Sequence, residues 1–531
     1  MSKSISKLVP IETYMPELQL SIAQHYHERT KYDPQTIVAK SQGLDFSRQP
    51  VPFKEYKVGA TFDMKPYMRE NPEAVAYEQE EFWWRRLSRL LSCSYGLTAR
   101  VPTMGMPMYL RTAPSAGGLY PAEVYLISRG TPLLPSGLYN YQPHTHTLIH
   151  FWDSDLWATL QAACFGHSAL ENTSLALLTT AIFYRSAWRY QDRAYRRIFL
   201  DTGHLLGNIE LACAMSKYRP HLIGGFVDEA VNQMLFVDPE QEGTISVIPL
   251  EDLLDSNLNK SVGTTALPSA TQTDYPRIPD GELLNYFHKA TQIQTSNQPP
   301  AARVSEGETS LDDKYNFPFC LKVSTATAPI LWGETPLRVS EKPLEALEGT
   351  VLKRRSTRAY TGANLTFDEL KALLDFTYQP QHYTHQGLDG SPDYFDLSLI
   401  ETFIAVSGVD GLEEGCYYYA PKAQELRQIR FKNFRQELHY LCLGQELGRD
   451  AAAVLFHTAD LKTAVTKYGD RAYRYLHMDA GHLGQRLNLA AIGLGLGVSG
   501  IGGFFDDQVN EVLGIPADEA VLYITTLGRP R

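Results

Sequence analysis

The chain contains two copies of one sequence, and matching residues are separated by a constant offset in residue number. Tyr190-Gln-Asp-Arg-Ala-Tyr-Arg196 returns as Tyr468-Gly-Asp-Arg-Ala-Tyr-Arg474, and Ile223-Gly-Gly-Phe226 returns at the same offset as Ile501-Gly-Gly-Phe504. Aligned without a gap, 190–235 and 468–513 share 20 identities in 46 positions. Because this period is far too long for a solenoid unit, the sequence predicts a duplicated whole domain.

Each copy mixes helical and strand patterns. Leu476, Ala480 and Leu483 recur at helical spacing, whereas Glu123–Ser128 and Ala520–Thr525 have the composition of strands. We therefore expect an α+β fold in which a sheet covered by helices is used twice.

The two copies and the linker between them divide the 531 residues into four parts. The expected parts are an N-terminal extension over 1–80, a first domain over 81–255, a partly disordered or irregular linker over 256–345 and a second domain over 346–531. The linker prediction rests on Ser, Thr, Pro and Gln-rich stretches such as Thr264–Thr273, and a short helix is expected near Gly281–Ala290.

The composition also disfavours several classes of protein. A net charge of −11 argues against nucleic acid or an anionic membrane as the main partner, so any bound anion needs a local basic cluster. Six scattered cysteines without a C-x-x-C pair suit a reducing cytoplasm and give no metal pattern, and Met1–Lys7 lacks the apolar run of a secretory signal. The apolar stretch Leu487–Phe505 contains six glycines, so we expect no membrane span there.

The two copies keep different halves of one site. Lys353-Arg-Arg-Ser-Thr-Arg-Ala-Tyr360 opens the second copy with guanidinium groups and hydroxyls that suit a phosphate, and the matching region near Asn71–Tyr77 has no such cluster. Arg111-Thr-Ala-Pro-Ser-Ala-Gly-Gly-Leu-Tyr-Pro121 in the first copy is a tight loop that a flat ligand can approach, whereas Pro392–Asp396 in the second copy has lost the small residues. A solvated run of charges and an ordinary turn are the alternative interpretations. Because the parts are complementary, we expect one site that spans both domains.

At these residues the chain resembles the nitroreductase-like flavoproteins, and more narrowly the SagB/ThcOx type of dehydrogenase. The matching segments are Tyr26–Lys31, Gln49–Lys54, Pro114–Pro121, Lys467–Arg474 and Ile501–Asp506. The resemblance implies two tandem nitroreductase-like domains that form a pseudo-dimer within one chain, with FMN at their interface.

The resemblance also implies which residues bind FMN. The phosphate is expected at both ends of the second copy, at Arg354, Arg355, Ser356, Arg358, Gly528 and Arg529. The isoalloxazine is expected along a first-copy loop made of Pro114, Ser115, Ala116, Gly117 and Gly118. Flavin N5 is expected to face the backbone of Ile501, Gly502 and Gly503. The first copy ends Ser246–Leu250 without Gly-Arg, so we expect one FMN per chain.

A proton acceptor is needed because enzymes of this type oxidise thiazolines and oxazolines, which passes a hydride to flavin N5 and releases a proton. We predict that Lys467 and Tyr468 are catalytic, with the pKa of the lysine lowered by desolvation. A surface lysine beside a packed tyrosine is the alternative. In the first copy Tyr190 keeps the tyrosine, but Arg189 replaces the lysine and cannot act as a base at neutral pH. We also expect Asp192–Arg193 and Asp470–Arg471 to be structural ion pairs.

The leading hypothesis is an FMN-dependent dehydrogenase or oxidase that acts on an azoline or a related bond in a peptide or peptide-like natural product. The expected acceptor is O2, and a cyclodehydratase or another biosynthetic enzyme is the expected partner. A NAD(P)H-dependent nitroreductase or quinone reductase is one alternative, and a flavin-free scaffold of a peptide-modifying complex is another. No metal, nucleic acid or membrane is expected as a ligand.

Overall fold

The two halves of the chain fold into domains of the same architecture. The computed structural model describes residues 20–37, 43–68, 78–103, 107–255, 264–294, 313–317, 320–332, 334–335, 338–339 and 343–531. Within these residues each domain contains a seven-stranded antiparallel sheet and one long buried helix. The predicted α+β class with two tandem domains is confirmed. The comparison region near Asn71–Tyr77 lies outside the described residues.

The described strands of the first half form one large sheet and one hairpin. They are β1 (Ala60–Asp63), β2 (Leu97–Val101), β3 (Met108–Arg111), β4 (Ala122–Ser128), β5 (Gly137–Gln142), β6 (Thr147–Trp152), β7 (Leu175–Ile182), β8 (Tyr218–Pro220) and β9 (Glu242–Asp252). The sheet has the order β1-β6-β5-β4-β7-β9-β8, and β2 pairs with β3 in the hairpin.

The described strands of the second half repeat this sheet strand for strand. They are β10 (Lys322–Ser324), β11 (Glu334–Thr335), β12 (Arg338–Val339), β13 (Leu365–Thr366), β14 (Glu401–Val406), β15 (Val409–Asp410), β16 (Gly415–Ala420), β17 (Glu425–Arg430), β18 (Ala453–Asp460), β19 (Gly497–Ile501) and β20 (Glu519–Gly528). The sheet order is β10-β17-β16-β14-β18-β20-β19. Its register is repeated as well, because Tyr125 lies opposite Leu178 and their counterparts in the second copy, Phe403 and Phe456, also lie opposite each other.

Helices cover the sheets and fill the space between the domains. The described α-helices are α1 (Ile22–Arg29), α2 (Gln79–Tyr95), α3 (Trp157–Ala163), α4 (Phe183–Tyr190), α5 (Ala194–Met215), α6 (Asp228–Met234), α7 (Leu283–Ala290), α8 (Pro343–Lys353), α9 (Phe367–Tyr378), α10 (Arg435–Leu441), α11 (Glu446–Asp450), α12 (Leu461–Tyr468), α13 (Ala472–Gly493) and α14 (Asp506–Leu513).

The two longest of these helices, α5 and α13, pack against each other at the centre of the molecule. Both have 22 residues, and every residue of α5 is buried. They meet at Gly203 and Gly481, where a Cβ would lie 2.2 Å from the Met478 carbonyl oxygen and 2.3 Å from that of Leu200. Glycine at both positions therefore lets the two backbones approach closely.

Helix α7 in the linker is the counterpart of α1 near the N-terminus. Tyr26 on α1 stacks on Phe287 on α7, with ring centroids 4.4 Å apart. The bridge between Tyr32 and Phe505 likewise corresponds to the bridge between Val227 and Ile293. The linker thus supplies the second domain with the same packing element that precedes the first.

Buried ion pairs connect the two domains in matching positions. Arg193 and Arg196 of the first domain share the carboxylate of Asp506, at 2.9 and 2.6 Å. Arg471 and Arg474 of the second share Asp228, at 2.6 and 2.8 Å. The expected pairing of Asp192 with Arg193 and of Asp470 with Arg471 is therefore corrected, since these arginines pair across the interface.

The neighbouring residues Asp192 and Asp470 form hydrogen bonds with backbone amides at the starts of two helices. Asp192 accepts hydrogen bonds from the Gly281 and Leu284 amides at the start of α7. Asp470 accepts one from the Ala23 amide at the start of α1. Carboxylates at helix N-termini satisfy backbone donors that the helix leaves free.

The apolar stretch Leu487–Phe505 is divided between the end of α13, strand β19 and the turn that follows. In the described part of the chain, no helix combines the length and the apolar character that a membrane crossing requires.

Candidate functional site

The loop that joins β3 to β4 is held by the helix α5 of its own domain. The Ser115 hydroxyl donates to Asp201 at 2.6 Å, and the Ala116 amide donates to the same carboxylate at 3.1 Å. Gly117 and Gly118 both have left-handed backbones, with φ of +66° and +67°, which side chains with a Cβ rarely adopt. The carboxylate of Asp201 is buried, and this burial raises its pKa to about 7.

The arginine segment of the second domain lies against this loop. The buried Arg354 guanidinium donates to the carbonyl oxygens of Thr112 and, at 2.9 Å, of Arg111. The Thr357 amide donates to the Val498 carbonyl at 2.8 Å, which fixes the segment beside β19. The structure therefore brings the two predicted halves of the site together across the domain interface.

The arginines of this segment carry positive charge without a carboxylate partner among the described residues. Arg355 donates to the Arg354 and Thr98 carbonyls, and Arg358 is exposed beside the half-buried Ser356. Burial lowers the pKa of Arg354 to about 10. Because a buried cation is costly without a counter-charge, this cluster fits an anion such as a phosphate.

The glycine turn after β19 faces two side chains of the first domain. A Cβ on Gly502 would lie 2.2 Å from Nη1 of Arg197. The Arg197 guanidinium lies 3.8 Å from the centre of the Tyr190 ring, and the Tyr190 hydroxyl lies 2.9 Å from where a Cβ of Gly117 would be. Gly502, Arg197, Tyr190 and Gly117 thus form a continuous wall that joins the two domains.

Lys467 and Tyr468 lie elsewhere. The Lys467 ammonium pairs with Asp396 at 2.7 Å, and the Tyr468 hydroxyl donates to the same carboxylate at 2.9 Å. Lys467 also lines a cleft of about 1070 Å³ between α1, α12 and α14, and none of the predicted FMN-binding residues lines that cleft. Asp396 is the counterpart of Gly118 at the common offset, so the pair occupies the position in the second domain that Arg189 and Tyr190 occupy in the first.

Gly528 and Arg529, the predicted phosphate-binding residues near the C-terminus, make contacts within the second domain. Both terminal nitrogens of Arg529 pair with Glu369 at 2.8 Å. A Cβ on Gly528 would lie 2.8 Å from the Tyr360 ring, so packing alone requires a glycine there. The Arg529 side chain is thus held by Glu369, while its backbone carbonyl accepts from the Thr361 amide just beyond the arginine segment.

The position related to this site by the duplication is filled by the chain itself. Phe395 replaces Gly117, and its ring stacks on Tyr475 with centroids 4.9 Å apart. The linker crosses the same place: the Gly224 amide donates to the Thr265 carbonyl at 2.7 Å, and the Tyr475 hydroxyl donates to the Leu267 carbonyl at 2.8 Å. This filled position contrasts with the first, where Gly117 stands in place of the phenylalanine ring.

Sequence reasoning missed Asp201 and Arg197 as parts of the site. Asp201 returns as Asp479, so its retention looked structural. Arg197 returns as Tyr475, and this difference at the common offset was a signal that could have identified it.

Known proteins resemble both halves of the chain. The model of the nitroreductase family matches residues 85–250 and again 351–529, which together make up more than half of the sequence. The chain belongs to the nitroreductase family.

Two relatives whose descriptions name them as nitroreductases match this chain, one over almost its whole length and one over about a third of it. The crystal structure of a predicted nitroreductase from Anabaena variabilis is 71% identical, covers 96% of this chain and 100% of its own, and superposes with a TM-score of 0.90. The predicted nitroreductase MJ1384 of Methanocaldococcus jannaschii is 34% identical over 183 residues, which are 34% of this chain and 90% of that protein. The chain is thus a nitroreductase-family oxidoreductase.

A third relative matches a shorter part of the chain. The microcin B17-processing protein McbC of Escherichia coli is 27% identical over 133 residues, which are 24% of this chain and 49% of McbC. The predicted resemblance to nitroreductase-like proteins, with one such domain in each half of the chain, is confirmed.

Proposed function

We propose that the chain is an FMN-dependent dehydrogenase or oxidase with one FMN bound between its two domains. The observation that carries this proposal is a junction between the two domains. An arginine cluster of the second domain, which has no carboxylate partner among the described residues, meets a loop of two left-handed glycines of the first domain. FMN, when bound, supplies the hydride acceptor for the reaction. The chain supplies the binding groups and the orientation of the substrate, and the proton that the substrate loses passes to solvent water.

The phosphate of FMN is proposed to bind to Arg354, Arg355, Ser356 and Arg358. Planar guanidinium groups suit phosphate oxygens, and these residues have unused donors in a chain of net charge −11. The flat ring system is proposed to lie along Pro114–Gly118, with the backbone of Ile501–Gly503 at its edge. Arg529 is left out of this set because Glu369 engages its side chain, and Gly528 contributes through packing.

The catalytic tyrosine is proposed to be Tyr190 and not Tyr468. Tyr190 lies against Gly117, whereas Lys467 and Tyr468 contact Asp396 in the filled position. Burial raises the pKa of Tyr190, so its hydroxyl stays protonated near neutral pH and donates a hydrogen bond to the substrate. Arg197 under the ring holds this hydroxyl in place.

The substrate is proposed to be an azoline or a related bond in a peptide or peptide-like natural product, with O2 as the acceptor. The likeness to McbC supports this, since its name assigns it to the processing of microcin B17. On this proposal the chain works beside a cyclodehydratase or another biosynthetic enzyme. A NAD(P)H-dependent nitroreductase is the second candidate, favoured by the names of the two other relatives.

Anaerobic flavin bleaching separates these candidates. The purified protein is loaded with FMN, freed of excess, and mixed either with a thiazoline-containing peptide or with NADPH. Rapid bleaching by the peptide alone, with one FMN per chain, is the expected result. Bleaching by NADPH alone, followed by turnover of a nitroaromatic compound, would favour the second candidate. A protein that takes up no FMN would refute both.

A further inference from the structure

The start of α5 carries a buried cation that has no ion-pair partner among the described residues. Of the three arginines in this stretch, Arg193 and Arg196 share Asp506. Arg197 is 7% exposed, its Nε is buried without a hydrogen-bond partner, and no described residue forms an ion pair with it. Because a buried charge without a partner is costly, a ligand is expected to provide one.

Helix α13, the counterpart of α5, shows what a side chain at the position of Arg197 contacts. Arg471 and Arg474 repeat the first two arginines and share Asp228, but the third position is Tyr475. The Tyr475 hydroxyl donates to the Leu267 and Gly224 carbonyls, at 2.8 and 3.0 Å, so it contacts the linker segment that fills the second position. By analogy, we expect the Arg197 side chain to contact the ligand that fills the first position, as Tyr475 contacts the linker segment that fills the second.

The surroundings of Arg197 leave its guanidinium available to an anion. Tyr190 supports one face of the group, and Gly502 and Gly503 lie beside its terminal nitrogens. Asp201 follows one turn later on the same helix, but its carboxylate accepts from Ser115 and Ala116 and lies outside ion-pair distance of Arg197.

The FMN phosphate is not the natural partner of this cation. The proposed phosphate-binding arginines contact Thr112, Arg111 and Thr98, whereas Arg197 contacts the glycine turn proposed to lie at the edge of the flavin ring. The oxidised ring carries no net charge, so in the oxidised state of the site the anion comes from the second ligand.

We propose that Arg197 is a specificity residue that binds a carboxylate of the substrate. The proposal rests on the proposed function, because it places that carboxylate beside the flavin edge and within reach of Tyr190. It narrows the substrate class to acids, such as a peptide with an acidic residue or a free carboxyl group next to the bond that is oxidised. The planar guanidinium can bind both carboxylate oxygens at once.

The test measures ligand binding through the visible absorption of bound FMN, without turnover. Protein loaded with FMN is titrated with sodium benzoate and, separately, with benzamide, which has the same shape without the charge. In the unmodified protein benzoate should bind more tightly by roughly tenfold or more, the usual size of a hydrogen bond to a charged group. Its affinity should also fall as salt is added.

Arg197→Met should remove this preference while FMN content stays the same. Arg197→Lys keeps the charge but loses the planar fork, and should show an intermediate preference. The matched control is Arg129→Met, which removes one exposed positive charge at the far end of β4 and should leave the preference unchanged.

The outcomes separate this proposal from the proposed function. A protein that takes up no FMN would refute both. A protein that binds FMN but binds benzoate no more tightly than benzamide would refute the role of Arg197 alone, as would an Arg197→Met variant that keeps the full preference. If neither variant at 197 folds, the benzoate preference and its salt dependence in the unmodified protein decide the question.

Discussion

Replacing Asp201 with asparagine should make the protein more stable at neutral and alkaline pH, but not in acid. Asp201 is buried at the loop that approaches Arg354, and burial raises its pKa from 3.8 to about 7. In the unfolded chain the group loses its proton near pH 3.8, so between these two values the folded state binds more protons. Its contribution to stability is therefore fully present below pH 3.8 and is lost as the pH rises through about 7.

The size of this effect follows from the shift. A shift of about three pKa units corresponds to about 4 kcal/mol of unfolding free energy between the two ends of this range. For a chain of 531 residues the unfolding entropy near the transition is about 1.1 kcal/mol/K, so the full effect is about 4 °C in Tm. Asparagine resembles the protonated acid in having no charge, so the variant should lack this pH-dependent loss.

Thermal unfolding from about pH 4 to about pH 8 measures the effect across the titration range. The flavin-free protein is used, because the pKa shift arises from the chain alone. The Tm of Asp201→Asn minus that of the unmodified protein should increase with pH by up to about 4 °C. Asp479→Asn is the matched control in the filled position, where burial also raises the pKa to about 7, and it should behave the same way. Parallel Tm curves for the variant and the unmodified protein would refute the reasoning.

Three other predictions concern the flavin site. Arg354→Ala should weaken FMN binding by about 1.5–3 kcal/mol, measured by flavin fluorescence titration, because it removes a charged donor and releases the loop at Thr112; unchanged affinity would remove Arg354 from the site. Tyr190→Phe should slow flavin bleaching by substrate while Tyr468→Phe leaves it unchanged, and the reverse pattern would restore Tyr468 as the catalytic candidate. Phe395→Ala should leave the FMN content at one per chain, because the linker still crosses that position; a second bound FMN would contradict this.

The constant offset between the two copies made most of the architecture predictable. Two copies of one domain have to share one topology, and the loss of complementary features from each copy indicated a site made by both. The contacts of Arg354 with Thr112 and Arg111 agree with that inference, because they join the predicted segments directly.

The surroundings of Lys467 and Tyr468 could not be read from the same pattern. Lys467 and Tyr468 match a family motif, but a motif does not state which of two related positions it faces. The answer depends on whether the helix that carries the tyrosine and the loop at Gly117 belong to the same domain. Only the three-dimensional structure shows this. The structure shows that they do, since Tyr190 lies against Gly117 and Tyr468 against Asp396.

The packing partners of the linker could not be predicted from the sequence either. Its Ser, Thr and Pro content predicts an irregular segment, and composition carries no information about what such a segment packs against. The sequence predicts a short helix near Gly281–Ala290, and α7 lies there. It follows α1 at a shorter spacing than the one that relates the two domains, so a search at the single offset does not show that the two helices correspond. Thr265 and Leu267 bond to backbone and hydroxyl groups that no sequence pattern marks.

The segment at Thr265–Leu267 changes what a mutation can do in this molecule. In a dimer of identical subunits every substitution appears in both active sites, so the two sites cannot change independently. Here the position related to the proposed site by the duplication is filled by residues of the same polypeptide, and a change at Phe395 or Tyr475 affects only that filled position. On the proposed function, this position is exempt from the requirements of catalysis and can evolve as part of the scaffold.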